Sequence, residues 1–215
     1  MTELLISVVS GAPDPYAAVP TILLKLRIQT PESEPVHAMV LKAQIRIEPQ
    51  KRRYSAEEEA RLLELFGESH QWGESLRPFL WTHVTTTVAE FTGSTEIELP
   101  VAVTYDFEVA AAKYLHSLGD GEIPLVLLFN GTIFSYRDGG LIVQPVPWHV
   151  EAEHRLPVSV WRATMDGFFP NAGWIRLRRE TIDALTKYKA DRALTSWEDA
   201  FEMLLKESTT GELRN

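Results

Sequence analysis

The segment WHVEAEH, residues 148–154, is the densest group of side chains that can do chemistry in this chain of 215 residues. It holds two of the six histidines together with two glutamates. Imidazole and carboxylate groups bind zinc and other divalent metals, and they also act as general acids and bases. The first question is therefore whether His149, Glu151 and His154 form a metal or catalytic site.

The spacing of the two histidines argues against a shared ion. Their offset places the side chains on opposite faces of a strand, and on a helix it turns them apart by about 140°. The i, i+4 histidine pair of a helical zinc site is absent. A strand would align His149, Glu151 and Glu153, but one histidine with two exposed acids is ordinary surface. His149, Glu151 and His154 remain metal candidates, and the simpler interpretation of the segment is a polar crossover between two parts of the chain.

Other kinds of chemistry have no clear signature. The chain has no cysteine, which excludes disulfides, iron–sulfur ligation, thiolate zinc sites and cysteine nucleophiles. There is no Gly-x-Ser-x-Gly elbow, and the Gly-Asp-Gly triplet at 119–121 is not a phosphate-binding loop. Acidic pairs such as Asp106 with Glu108, on one face of a predicted strand, are expected among 30 acidic residues. We expect no catalytic residue and no cofactor.

Charge and the N-terminal residues restrict the partners. The formal net charge of −9 repels nucleic-acid phosphates, and only two basic clusters, 51–53 and 176–179, favour such binding. The N-terminal MTELLISVVSG lacks the basic region of a signal peptide, and its apolar run is too short to cross a bilayer. The sequence therefore predicts a cytoplasmic protein that binds neither nucleic acid nor membrane.

Alternation of apolar and polar residues predicts a mainly β fold for the first two thirds of the chain. Residues 22–28, 39–47 and 97–103 each follow this period of two, which places one face of each strand on a core and the other in water. One-sided strands of this kind are typical of antiparallel sheets. We predict an antiparallel β-sandwich of about seven strands over residues 1–154.

Two glycine-containing dipeptides compete to define the next turn. Asp138-Gly139 supplies the residues that a tight hairpin requires between IFSY and LIVQPV. Asn130-Gly131 lies only eight residues earlier, and two turns so close together would leave a very short strand. We therefore predict one long strand over residues 123–136, with a bulge at Gly131.

Capping signals predict where helices begin. Ser55 and Glu58 form a capping box that predicts a helical insertion near 56–66. Thr195 and Glu198 predict a second box before the last helix. We divide the chain into the sandwich, a mostly helical C-terminal segment (155–207) packed on it, and a flexible tail (208–215).

The six tryptophans suggest two different roles. Trp161 and Trp197 lie on apolar helical stripes, so we expect both of them to be buried. Tryptophan and phenylalanine near turns can instead form an aromatic patch that binds another protein. The candidates for partner binding are Trp148, Phe168, Phe169 and Trp174, although core packing is the more common role of large aromatic side chains.

Several segments carry a family resemblance that covers nearly the entire chain. They are RIEPQKRRYS, FTGSTEIELPV, YDFEVAAAKYL and VPW…E…LPVSVWRATMDGFFPNAGWIRLRRETIDAL. The sequence resembles an uncharacterised, mainly actinobacterial family of unknown function that is encoded beside nickel–iron (NiFe) hydrogenase genes. Trp148, Glu151 and the LPV–VW segment carry the match, whereas the two histidines do not.

The resemblance implies an accessory role in hydrogenase assembly and supplies no catalytic residues. Without cysteine or a histidine-rich tract, the protein should be neither the nickel carrier nor an iron–sulfur scaffold. We expect a non-enzymatic assembly or binding protein whose partner, by resemblance, is a hydrogenase subunit or maturation factor. The alternative is a small-ligand-binding protein or enzyme with a cleft between the sandwich and the C-terminal helices.

Overall fold

The computed structural model describes residues 4–31, 35–104, 109–137, 139–170 and 177–212. Eight strands in these residues form two antiparallel sheets. They are β1 (Leu5–Pro13), β2 (Thr21–Gln29), β3 (Ala38–Ile47), β4 (Phe79–Val88), β5 (Ser94–Ala102), β6 (Glu122–Arg137), β7 (Gly140–Pro145) and β8 (Glu151–Pro157). The prediction of a mainly β fold is confirmed, while the sandwich of about seven strands fits only roughly.

The alternating residues bury one face of each sheet. The smaller sheet has the order β1-β2-β5, and the larger has the order β4-β3-β6-β7, with β8 also paired to β6. Every second residue from Ile22 to Ile28 in β2 and from Met39 to Ile47 in β3 is fully buried. Both sets belong to one hydrophobic core, as the period of two predicts.

β6 is a single strand of 16 residues, which confirms the long strand that we predicted. Its first half pairs with β8 and its second half with β7. The predicted bulge at Gly131 is wrong, because the register with β3 passes from Lys42↔Asn130 to Leu41↔Gly131 without a shift. Glycine is required at position 131 because the backbone of β3 lies very close to it. A Cβ would lie 2.0 Å from the Val40 carbonyl oxygen, and φ is +146°.

The turn between β6 and β7 is the tight hairpin that the sequence indicates. The two strands pair up to Arg137↔Gly140. Gly139 has a φ of +77°, in the left-handed region that favours glycine, while Asp138 lies outside the described residues.

Among the described residues up to position 170, four α-helices accompany the strands. They are α1 (Ala56–Phe66), α2 (Trp72–Ser75), α3 (Ala110–Ser117) and α4 (Val158–Phe168). The capping box of Ser55 with Glu58 is confirmed at the start of α1. α3 was not predicted; it buries Tyr114 and Leu115 in the core, and the Asp106–Glu108 pair before it lies outside the described residues. α4 packs against β1, β2 and β8.

The chain forms two units, Met1–Trp174 and Ile175–Asn215. All eight strands and α4 belong to the first unit. The second contains α5 (Arg179–Asp191) and α6 (Trp197–Glu212), so α6 continues into the segment that we expected to be a flexible tail.

Polar contacts join α5 to α6. Arg192 donates a hydrogen bond to Glu207 at 3.0 Å, and its guanidinium lies 3.8 Å from the Tyr188 ring centroid. The cap of α6 differs from the prediction by one residue, since Ser196 and Asp199 exchange the two capping hydrogen bonds. The prediction that Trp197 is buried is wrong, because Trp197 is 44% exposed.

Candidate interaction surface and basic cleft

Trp148 projects into solvent from a turn whose backbone is fixed. Its side chain is 92% exposed, in the connection between β7 and β8. On one side of the turn, the Val146 N–H donates to the Gly131 carbonyl at 3.0 Å; on the other, the Phe129 N–H donates to the Val150 carbonyl at 3.1 Å. The connection is therefore anchored to β6 at both ends, and the large indole side chain of Trp148 lies in solvent between these two anchors.

The outer face of the β6–β7 hairpin is apolar. The register pairs Tyr136 with Leu141 and Phe134 with Val143, and cross-strand partners share one face of a sheet. Tyr136, Leu141 and Val143 are each more than half exposed, and Phe134 is half-buried. We call these four residues the hairpin face.

β7 is an open edge of the larger sheet. It pairs with β6 and with no other described strand, and among the described elements it packs extensively only on β6. Other edges are covered or charged: β1 packs against α4 and β8, β4 packs against β5 and α3, and β5 carries Glu96 and Glu98. Cover and charge are the usual means by which proteins prevent an edge strand from pairing with another chain. β7 has no charged residue, so its edge is available to a partner strand.

The structure separates the three metal candidates. His149 lies in the exposed turn, whereas Glu151 and His154 lie on β8 and point to opposite faces of it. Burial lowers the pKa of His154, whose Nε2 is enclosed and has no hydrogen-bond partner in the described part of the chain. Within the described ranges, no group of three or more histidines and carboxylates could hold a metal ion.

The interpretation of 148–154 as a polar crossover is wrong for most of its length. Residues 151–157 form β8 because they alternate exposed and buried side chains and pair with the first half of β6. Only the first part of the segment is a connection, and it is the part that carries Trp148 and His149.

The other aromatic candidates are less accessible. Phe168 and Phe169 are half-buried at the end of α4, where Trp161 and Met165 are buried in the core. Trp174 lies outside the described residues. Of the three partner-binding candidates that the structure describes, Trp148 is the one whose exposed position favours that role.

The basic cluster at 51–53 lines a cleft of about 690 Å³. The other side of this basic cleft is formed by Gly121 and Glu122, at the start of β6, and by Arg155 of β8. Four cationic side chains and one carboxylate therefore line one cleft, in a chain whose net charge is −9.

Arg52 is the buried, fixed member of this cluster. It donates to the Glu58 carboxylate at 2.7 Å, to the Asp120 carbonyl at 3.0 Å and to the Glu122 carbonyl at 3.2 Å. Glu58 also accepts the Gly119 N–H at 2.7 Å. One buried ion pair thus ties the cluster, the first turn of α1 and the loop before β6 into a single unit.

Hydrogen bonding keeps this buried carboxylate ionised. Burial alone would raise the pKa of Glu58, but the N–H groups of Ser55 and Gly119 and the Arg52 guanidinium outweigh burial and lower it. Nearby, the hydroxyls of Tyr54 and Tyr114 are 2.9 Å apart. Burial raises the pKa of Tyr114 to about 12, so its hydroxyl stays protonated at neutral pH.

The sequence contained signals for both regions that residue types alone did not reveal. LIVQP is an uncharged run directly after a hairpin turn, which is the pattern of an exposed edge strand when nothing covers it. Arg155 is distant in sequence from the 51–53 cluster, so only the pairing of β8 with β6 brings the two together.

No helix among the described residues is both long and apolar enough to cross a bilayer. Together the fold and these surfaces define a mainly β protein with an exposed aromatic turn, an open edge strand and a basic cleft. The chain belongs to a family of unknown function, DUF6084, whose model matches residues 1–213.

Comparison with known proteins does not identify an activity for this chain. No curated protein matches the chain. Among solved structures, it is similar to a β-glucosidase from Kluyveromyces marxianus, with 6% identity over 73% of this chain and 15% of that one and a TM-score of 0.26. It is also similar to β-glucosidase 3B from Thermotoga neapolitana, with 12% identity over 72% and 17% and a TM-score of 0.25. The chain spans less than a fifth of either enzyme, and similarity this low carries no argument about function.

Proposed function

We propose that this is a non-enzymatic binding protein that holds a partner protein at the β7 edge, with Trp148 as the anchor. The observation that carries the proposal is the 92% exposure of Trp148 on a turn fixed at both ends. Burying a large apolar side chain contributes about 2–3 kcal/mol, and tryptophan is enriched among the residues that dominate binding energy at protein interfaces.

The proposed partner presents an extended apolar segment. A strand added to β7 would satisfy the backbone donors and acceptors along its open edge. Side chains of that strand would cover Leu141 and Val143, and the absence of charge on β7 favours an uncharged, apolar sequence over an acidic or basic one. Trp148, in the connection that follows the C-terminal end of β7, would pack against the end of the added strand.

The family resemblance supplies the partner to test first. A family encoded beside NiFe-hydrogenase genes in actinobacteria points to a hydrogenase subunit or maturation factor in the cytoplasm. The chain has no cysteine thiolate to offer nickel or an iron–sulfur cluster. The proposed role is therefore to hold a hydrogenase chain during assembly. The alternative function, a small-ligand-binding protein or enzyme with a cleft between the sandwich and the C-terminal helices, stays a prediction.

Co-purification with a matched control tests this proposal. Tagged full-length protein would be expressed in its own host as wild type, Trp148→Ala and Tyr16→Ala. Tyr16 is 94% exposed in the loop between β1 and β2, so it is an equally exposed aromatic outside the proposed surface. We expect a hydrogenase subunit to co-purify with wild type and Tyr16→Ala and to be lost from Trp148→Ala.

Two results would contradict the proposal. Equal recovery of the hydrogenase subunit with Trp148→Ala would remove Trp148 from the interface. Absence of any hydrogenase chain from the wild-type sample, with normal hydrogenase activity in a deletion strain, would reject the hydrogenase partner itself.

A further inference from the structure

We infer that the basic cleft binds an anionic small molecule through a phosphate or carboxylate group held by Arg53 and Arg155. The inference is independent of the proposed protein-binding function, because the lining of the cleft shares no residue with the hairpin face or with Trp148.

Two of the four cations in the cleft have close anionic partners. Lys51 forms ion pairs with both Glu48 and Glu153. Arg52 is paired with buried Glu58. Neither cation is therefore available to neutralise a ligand, which leaves Arg53 and Arg155 to bind it.

Arg53 and Arg155 have donors to spare. Arg53 is exposed, and its side chain makes no ion pair or hydrogen bond with the described part of the chain. Among the described residues, Arg155 makes long contacts of 3.4 Å to the Lys51 carbonyl and 3.8 Å to the Glu122 carboxylate, and it interacts electrostatically with Glu153 on the same strand. Hydrogen bonds of good geometry to a guanidinium are shorter than this, about 2.7–2.9 Å when both groups are charged.

Guanidinium groups match oxyanions in geometry as well as in charge. Each presents a planar fork of N–H donors that binds a carboxylate or phosphate in a bidentate manner. The exposed amide of Gln50, in the same lining, adds a neutral donor. The cleft of about 690 Å³ also lies within the range of roughly 300–1,000 Å³ that is typical of small-molecule sites.

The walls of the cleft are fixed before any ligand arrives. Arg52 belongs to one wall of the cleft. It donates hydrogen bonds to the Asp120 and Glu122 carbonyls of the opposite wall. β8 holds Arg155 in register beside β6 through the pair Pro124↔Arg155. A site whose backbone is already ordered loses less entropy on binding, which favours binding by Arg53 and Arg155.

Isothermal titration of the full chain tests the inference with two probes, inorganic phosphate and succinate. The double variant Arg53→Gln/Arg155→Gln removes both of these guanidiniums from exposed positions. Arg77→Gln is the control, because it removes an exposed guanidinium that does not line the cleft. We expect affinity for at least one probe to fall about tenfold or more in the double variant and to be unchanged in the control.

Glu122→Gln provides a gain-of-binding test. It removes the one carboxylate in the lining and keeps the backbone carbonyl that Arg52 uses. Loss of this competitor for Arg155 should strengthen binding by about threefold, an effect that loss of structure would not produce. The probe that responds identifies the anion as a phosphate or a carboxylate.

Three results would overturn the inference. They are absence of heat with both probes at millimolar concentration in wild type, equal affinity in wild type and the double variant, and equal loss in Arg77→Gln. None of them bears on the protein partner, since the titration uses the protein alone.

Discussion

The two halves of β6 share one neighbour, β3, but differ in what covers them. In the first half, Ile123–Leu127 are all buried, because β8 completes the pairing and the turn at 49–51 packs on the strand. In the second half, Ile133 is the one buried residue between Asn130 and Arg137, and the hairpin face is open. The same strand therefore supports stability along one half and offers a surface along the other.

The largest expected effect is at the junction of the two halves. Gly131→Ala would place a Cβ against the Val40 carbonyl in a conformation that disfavours alanine. We expect the free energy of unfolding to fall by about 4 kcal/mol, from overpacking together with backbone strain. Gly139→Ala is the control: it also has positive φ, but apart from its chain neighbours no described atom lies within 4 Å of its added Cβ, so it should cost about 1 kcal/mol. Similar losses for both variants in urea denaturation would contradict the close approach.

Two leucine substitutions compare the covered half of β6 with the hairpin face directly. Leu127→Ala, in the covered half, should lower the free energy of unfolding by about 3 kcal/mol through lost burial and a cavity. Leu141→Ala, on the hairpin face, should change it by less than about 0.5 kcal/mol. Urea denaturation of both variants measures the difference. A loss at Leu141 as large as that at Leu127 would show that the hairpin face is structural.

The buried ion pair between Arg52 and Glu58 makes the stability of the fold depend on pH. Glu58→Gln leaves Arg52 buried without its partner charge, and we expect a loss of about 2 kcal/mol at pH 7. Because folding lowers the pKa of Glu58, its stabilisation is complete above the ordinary value of 4.5 and disappears as pH falls through the folded pKa. The difference between wild type and Glu58→Gln should therefore be constant from pH 7 to about 5 and shrink at lower pH. Denaturation midpoints across this range measure it, and a difference that grows in acid would contradict the assignment.

The smallest expected effect on stability belongs to Trp148. Because Trp148 is 92% exposed, Trp148→Ala should change the free energy of unfolding by less than about 0.5 kcal/mol. Trp161→Ala, a buried control, should lower it by about 3–5 kcal/mol. The same denaturation experiment measures both. A large loss in Trp148→Ala would mean that its role is packing within the chain.

Local patterns predicted the parts of the fold that local physics determines. The strands 22–28 and 39–47, the long β6 and the cap at Ser55 follow from alternation and capping, which are read within a few residues. The prediction failed where distant segments decide. β8 was interpreted as a crossover because its pairing partner lies about 30 residues earlier, and α3 was missed between strands although AAAKYLH favours a helix.

The candidate surfaces were also predictable only in part, because distant segments of the chain form them. The sequence indicated Trp148 as a residue to test, but not that its turn is anchored to β6. It identified the 51–53 cluster by charge, but Arg155 joins that cluster only through the sheet. Burial of Trp197 was predicted from a helical stripe, and a stripe does not show whether another element covers it.

The central proposal, that β7 and Trp148 receive a partner strand, is tested most directly by amide hydrogen exchange on the purified complex with the partner chain that the co-purification recovers. We predict that exchange of the Leu141–Gln144 amides in β7 slows in the complex, while exchange along β5, an edge strand charged by Glu96 and Glu98, stays unchanged. Unchanged exchange in β7 while the complex remains intact would contradict the account.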